Sequence, residues 1–409
     1  MKVKSTEYRQ ILFDSLLLLA ASLLLLAFAF YNGYPLVYSD TGSYIHYGFE
    51  KEVPFDRPVM YGLFLRYSSL KFSLWLPVFF QGLMTAWSIR YLVGAFGCNI
   101  PTQRKLFSLI ILVLVAFTGL SQKCSNVLPD FTTALIPVLA AGWALRKQKS
   151  TSESIIAAGI ALFAMLSHGS NLYIFLICTA LISLLYILRM PAVRNAGRKL
   201  LIELWMFCGV GIISLLMVNF IFSGEFFLSR NGSIFVTGHL ADCGLLDEFL
   251  IDKCAEKNYP LCEWKGACAN VDFLWDETSS PHFKTGGWHK NPDRYNEMLH
   301  DFFTSRKYIW KYIVSTTKLG AIQIFDSGLH TEMENLPMVK GSAPYGQVEW
   351  RFPRELHSYS AARQQQGTLD YTVINTLQTV LLILSLIVIP AGIIYLRKRS
   401  AEFNVLLLT

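Results

Sequence analysis

The chain of 409 residues is 53% hydrophobic and only 16% charged, with a positive mean hydropathy of +0.38. That composition excludes the string of water-soluble domains that a chain of this length would otherwise accommodate. The net charge of +7 does not point to nucleic acid, because the basic residues are spread through short loops and form no compact basic motif.

Apolar runs of roughly 17–25 residues, each bracketed by polar loops, mark helices that cross a bilayer. Eight such runs are predicted, at about 11–31, 75–96, 106–122, 131–146, 154–168, 171–189, 200–222 and 372–396. The fifth is short for a full crossing. The first is too long for a removed leader and lacks a small-residue cleavage site, so it is expected to remain as an anchor.

Basic residues in short loops set the orientation. Lys2, Lys4 and Arg9 precede the first run, and Arg104 with Lys105 separates the second from the third. Arg146, Lys147 and Lys149 follow the fourth, Arg189, Arg194, Arg198 and Lys199 follow the sixth, and Arg397, Lys398 and Arg399 follow the last. With eight spans all five clusters share one side, the cytoplasm, together with both termini. The expected fold is an all-α integral membrane protein of about eight transmembrane helices with a mixed extracytoplasmic cap segment. Its expected divisions are a transmembrane domain at 1–222, the cap at 223–370, and a final span with a cytoplasmic tail at 371–409.

The outward face then carries the loop from Gly33 to Tyr44, the turn from Lys123 to Asp130, the link around His168 and the segment 223–370. The stretch 59–73 is apolar but interrupted by Arg66, Ser68, Ser69 and Lys71. It is expected to lie in the interface as an amphipathic helix, and so is 308–325, which Lys311 and Lys318 interrupt. Four cysteines, Cys243, Cys254, Cys262 and Cys268, fall in the outward segment, where an even number is expected to form disulfides of open pairing. They lack the paired Cys-x-x-Cys spacing of a zinc site. Cys178 and Cys208 lie within spans as packing residues; Cys98 is expected to be cytoplasmic and reduced, and Cys124 outward.

The first outer loop concentrates chemistry. It delivers Asp40 to the membrane surface among Tyr34, Tyr38, Tyr44 and Tyr47, and His46, Glu50, Asp56 and Arg57 follow. Carboxylates, a base and a cation beside a first span suit chemistry on a substrate held at the interface. An Asp in Ser-Asp-Thr-Gly is also ordinary turn chemistry. The theme recurs in Asn126-Val127-Leu128-Pro129-Asp130-Phe131-Thr132-Thr133, where Asp130 also suits a helix N-cap. His46 and Glu50 are spaced to share a helix face, but two such residues make no metal site. The tyrosines suit an aromatic belt at the interface, with sugar stacking as a second use for Tyr44.

This arrangement resembles the GT-C superfamily of membrane glycosyltransferases: an acidic residue just after the first span, an interfacial helix, and a Pro-Asp at a later outer junction. The resemblance covers roughly the first 190 residues. It implies transfer of a sugar from a polyprenyl-phosphate-type donor to an extracytoplasmic glycan, lipid or protein acceptor, at a bacterial inner membrane. It further implies catalysis by Asp40, with Asp130 in support. A single carboxylate can take the proton from the acceptor hydroxyl, so Asp40 is assigned as general base. The leaving phosphate needs cationic donors, for which Arg57, Lys123, His168 and Arg351 are candidates; Arg57 could equally pair with Asp56. The chain lacks the adjacent acidic pair of many members, which disfavours a divalent metal, and no other cofactor is expected. The rival readings are a transporter or flippase of a lipid-linked intermediate, or another membrane transferase. Transporters place ionisable groups near the midplane and show repeats, neither of which is evident here.

Overall fold

The computed structural model describes residues 2–146, 150–189, 197–325 and 336–396. Lys147, Lys149, Arg194, Arg397, Lys398 and Arg399, used above to orient the chain, lie outside the described residues, as do the side chains of Lys2 and Lys4. Among the described residues the fold is all-helical, without strands. The chain divides into two compact units. The described residues within Met1–Val53, Pro58–Phe226 and Gly328–Thr409 form the first, and those within Pro54–Arg57 and Phe227–Ser327 form the second. The expected cap segment is thus shared between them: its residues from 336 onward belong to the first unit.

In the first unit, α1 (Lys2–Leu24) and α2 (Ala27–Asn32) make up the leading apolar run, interrupted at Leu25 and Leu26. Gly33, at φ +88°, closes α2 through a left-handed turn that favours glycine. There follow α3 (Ser39–Glu50), α4 (Met60–Ser68), α5 (Trp75–Gly94), α6 (Ile100–Phe117), α7 (Leu120–Ser125), α8 (Phe131–Leu145), α9 (Thr151–Ser167), α10 (Asn171–Ile187) and α11 (Gly197–Ser223). Local signals place several starts. Asn99 accepts from the Thr102 amide (3.0 Å) ahead of α6, with Pro101 in its first turn. Ser150 accepts from the Glu153 amide (3.2 Å) ahead of α9.

Among the described residues three helices are long and apolar enough to cross a membrane: α6, α11 and the stretch Thr372–Gly392 of the last helix; α8, α9 and α10 are apolar but shorter. The three long ones leave most of their surface uncovered by protein, with Leu109, Leu112, Ile202, Ile213, Ile387 and Val388 among the exposed side chains. Apolar surface on this scale is sustained by lipid and not by water. Asp14, inside the leading apolar run, is neutralised by Arg90 (3.1 Å) from α5 and Arg104 (2.7 Å) from α6, as a carboxylate in apolar surroundings requires.

The second unit contains α12 (Gly232–Asp242), α13 (Leu245–Lys253), α14 (Pro281–Lys284), α15 (Gly287–Thr304) and α16 (Arg306–Phe325). Its core gathers Ile234, Leu246, Phe249, Leu261, Phe273, Met298 and Phe302. Asp247 accepts from the amides of Gly266 (2.8 Å), Cys268 (3.1 Å) and Ala269 (2.9 Å), which folds the irregular stretch back on α13. One disulfide forms, Cys254–Cys262, with Cα atoms 5.6 Å apart.

The expectation of paired bridges among all four outer cysteines is corrected here, because Cys243 and Cys268 are free thiols. They are held by different neighbours. Cys243 faces His239 Nε2 (3.7 Å) at the end of α12, and Cys268 is buried with its thiol toward the Trp264 carbonyl (3.6 Å).

The first unit resumes at Leu336 with α17 (Ala343–Arg351), α18 (Leu356–Ala361) and α19 (Thr372–Leu396). Residues 336–371 are stitched onto the first loop. The Gln364 side chain accepts from the Val37 amide (3.1 Å) and donates to its carbonyl (2.6 Å), while Asn32 Oδ1 accepts from the Gln364 amide (2.8 Å). Glu355 accepts from the Tyr34 hydroxyl (2.6 Å), the Ser73 hydroxyl (2.5 Å) and the Leu74 amide (3.1 Å). Buried loop backbone requires partners of this kind.

Candidate functional site

The site is assembled from three turns of the first unit. The first loop runs into α3, whose first turn holds Asp40, half-buried at the positive end of the helix dipole. Tyr38 caps that helix: its amide donates to Thr41 Oγ1 (2.9 Å) and its carbonyl accepts from the Thr41 amide (2.9 Å). Thr41 Oγ1 then donates to the Val127 carbonyl (3.0 Å) in the second turn. The two turns are further joined by an isolated parallel bridge between Leu36 and Asn126. Its bonds run from the Leu36 amide to the Ser125 carbonyl (3.0 Å) and from the Val127 amide to the Leu36 carbonyl (2.9 Å).

Asp130 ends the second turn. It is exposed and makes no capping hydrogen bond to α8, so the N-cap role open to it from its position is not the one its side chain plays. The third turn, around His168, is tied to the start of α8 by Asn171. The Asn171 amide donates to Thr132 Oγ1 (2.8 Å) and to the Ala164 carbonyl (2.8 Å), and its oxygen accepts from Thr133 Oγ1 (2.8 Å). His168 lies at the end of α9 with Nδ1 against Ser170 Oγ (2.9 Å).

Beneath Asp40 and Asp130 lies a buried polar column. Tyr44, one helical turn on from Asp40, meets Tyr61 of α4 edge to face, with ring centroids 5.0 Å apart. The Tyr61 hydroxyl donates to Gln81 Oε1 (2.6 Å), and the Gln81 amide donates to the carbonyls of Cys124 (3.0 Å) and Asn126 (2.9 Å). Burial holds the Tyr61 hydroxyl well above the ordinary phenol range, and Tyr44 and Asp130 push it the same way. Tyr61 therefore stays a protonated donor within the electrostatic reach of Asp130. Glycines let these helices approach: a Cβ on Gly48 would lie 2.0 Å from the Gly62 carbonyl oxygen, and one on Gly42 2.6 Å from the Ala343 backbone. Helix α3 is thereby gripped by α4 on one side and α17 on the other.

The remaining predicted residues fall as follows. Lys123 is half-buried in α7, three residues before Asn126. His46 is half-buried beside Tyr47, ring centroids 5.0 Å apart. Arg351 pairs with Glu50 and lies over the Trp350 ring at 3.5 Å. Arg57 belongs to the second unit and pairs with Asp56, donating from Nε at 2.8 Å. Gln81, Tyr61, Asn171 and Glu355 are structural members of the site that the sequence reading passed over. Gln81 carried a legible signal, a lone amide inside an otherwise apolar helix. Glu355 carried none.

No protein family, characterised protein or solved structure matches the chain.

Proposed function

We propose that this chain is a membrane glycosyltransferase that moves a sugar from a polyprenyl-phosphate-type donor to an extracytoplasmic acceptor. In this reading the apolar helices form about eight spans, and the turns bearing Asp40, Asp130 and His168 face outward beside a cap. The observation that carries the reading is the joining of the Asp40 and Asp130 turns, through Thr41–Val127 and Leu36–Asn126, above the Tyr44–Tyr61–Gln81 column.

Asp40 takes the proton of the acceptor hydroxyl as its oxygen attacks the anomeric carbon. The bond from that carbon to the lipid phosphate breaks, and the phosphate leaves with the electron pair. Charge growing on its oxygens is met by Lys123 and His168. Asp130, free of a capping duty, orients the acceptor by accepting from its hydroxyls. Arg57 pairs with Asp56 and Arg351 with Glu50, so each would exchange its carboxylate for phosphate to serve the leaving group.

The test is Asp40→Asn, purified and returned to liposomes holding lipid-phosphate-linked sugars and a mixed set of acceptors. A drop in transfer of about 10²–10⁴-fold is expected from loss of a general base, with an unchanged unfolding temperature. Full transfer by the folded variant would remove Asp40 from the mechanism.

A further inference from the structure

Helix α16 has two apolar faces, and the second unit uses one of them. Tyr308 is fully buried, its ring centroid 5.1 Å from that of Phe249 and 5.2 Å from that of Phe302. Lys307 and Lys311 flank this inner face and are ion-paired to Asp252 and Glu248. Both lysines thus serve the unit's own packing.

The opposite face carries Trp310, Ile313, Val314, Thr317, Ala321 and Ile324, spaced as one stripe of a helix. Trp310 is 66% exposed and Ile324 58%. Two cations border the stripe, Arg306 and Lys318, both exposed and without an ion pair among the described residues. A long apolar stripe in water is costly unless something covers it.

Chain connection indicates what that is. Helix α11, 27 residues long and with an apolar stretch long enough to cross a membrane, ends at Ser223, and the second unit begins at Phe227. That link reaches at most about 14 Å when fully extended. Its neighbourhood is itself greasy, with Phe226 and Leu228 exposed. The chain thus holds the start of the second unit within that reach of the end of α11.

We propose that the outer face of α16 lies in the membrane interface. Trp310, Ile313, Val314 and Ile324 enter the boundary between headgroups and acyl chains, and Arg306 and Lys318 meet anionic lipid headgroups. The occupant of the stripe is lipid. This inference is independent of the sugar-transfer reading, since it needs only that α11 cross the membrane.

The experiment uses the full chain in nanodiscs, with the exposed Cys98 replaced by Ser. An environment-sensitive fluorophore is placed at Ile313→Cys or, as a control, at the exposed Asp293→Cys of α15. Lipids with nitroxide-labelled acyl chains serve as quenchers. The label at 313 should be blue-shifted and quenched several-fold more than the label at 293, and more strongly with anionic than with zwitterionic lipid. Arg306→Glu with Lys318→Glu should remove the anionic preference and leave the unfolding temperature unchanged.

Equal, weak quenching at both positions would overturn the proposal. So would a blue shift at 313 that ignores the nitroxide lipids and vanishes in nanodiscs holding one copy, since a second copy of the chain would then be the occupant.

Discussion

Gln81 holds together three segments that meet only in the folded chain, so its replacement gives a graded prediction. In Gln81→Leu the Tyr61 hydroxyl and the carbonyls of Cys124 and Asn126 all lose a partner in a fully buried setting. The Asn126 carbonyl keeps the Leu128 amide (2.8 Å), so two groups are orphaned, at roughly 1–3 kcal/mol each, for a sum of about 3–5 kcal/mol. Tyr61→Phe orphans only Gln81 Oε1 and should cost about 1–3 kcal/mol. The double variant Tyr61→Phe/Gln81→Leu has no orphaned hydroxyl, so it should be no worse than Gln81→Leu alone, with a coupling of about 1–2 kcal/mol. At roughly 2–4 °C per kcal/mol for a large domain, Gln81→Leu should lower the unfolding temperature by about 6–20 °C in detergent. Additive losses from the two single changes, or a shift near zero for Gln81→Leu, would refute the column as a source of stability.

Other outcomes follow from the same structure. Gly48→Ala forces a methyl into the Gly62 carbonyl, and since both atoms belong to backbone the helices must part, at about 1–3 kcal/mol; Gly159→Ala, whose added methyl meets open space, is the matched control on thermal unfolding. Removing the Cys254–Cys262 bridge, whose cysteines are 8 residues apart, should cost about 2.5 kcal/mol. Non-reducing peptide mapping should recover that pair linked and Cys243 and Cys268 as thiols; a Cys243–Cys268 linkage would overturn the assignment.

Burial lowers the His282 pKa to about 4 from an ordinary 6.5, so the folded chain binds fewer protons than the unfolded chain between those values. His282 therefore contributes stability in full above pH 6.5 and loses it as pH falls toward 4, by up to about 3 kcal/mol. Melting curves across that window should flatten in His282→Gln, and an unchanged slope would show that other groups set the pH response.

Much of the membrane character was readable from one dimension. Apolar runs long enough to cross a bilayer are a local property, and α6, α11 and α19 coincide with three of the predicted spans. Asp40 and Asp130 stood out because each is an acid where a polar turn meets an apolar run. The pairing of the cysteines was not readable, because composition counts thiols and cannot place them, and only Cys254 and Cys262 come within bridging distance.

What the linear order of residues determined by itself was the all-helical, lipid-seeking character of the chain and the position of its polar turns, since both depend on neighbours within a helical run. Tertiary structure alone decided which turns touch. Leu36 became hydrogen-bonded to Ser125 and Val127, Glu355 came to serve Tyr34 and Ser73, and Arg57 joined a different unit from Asp40. The physical reason is that buried backbone and side-chain polar groups must each find a partner, and the partner can lie hundreds of residues away.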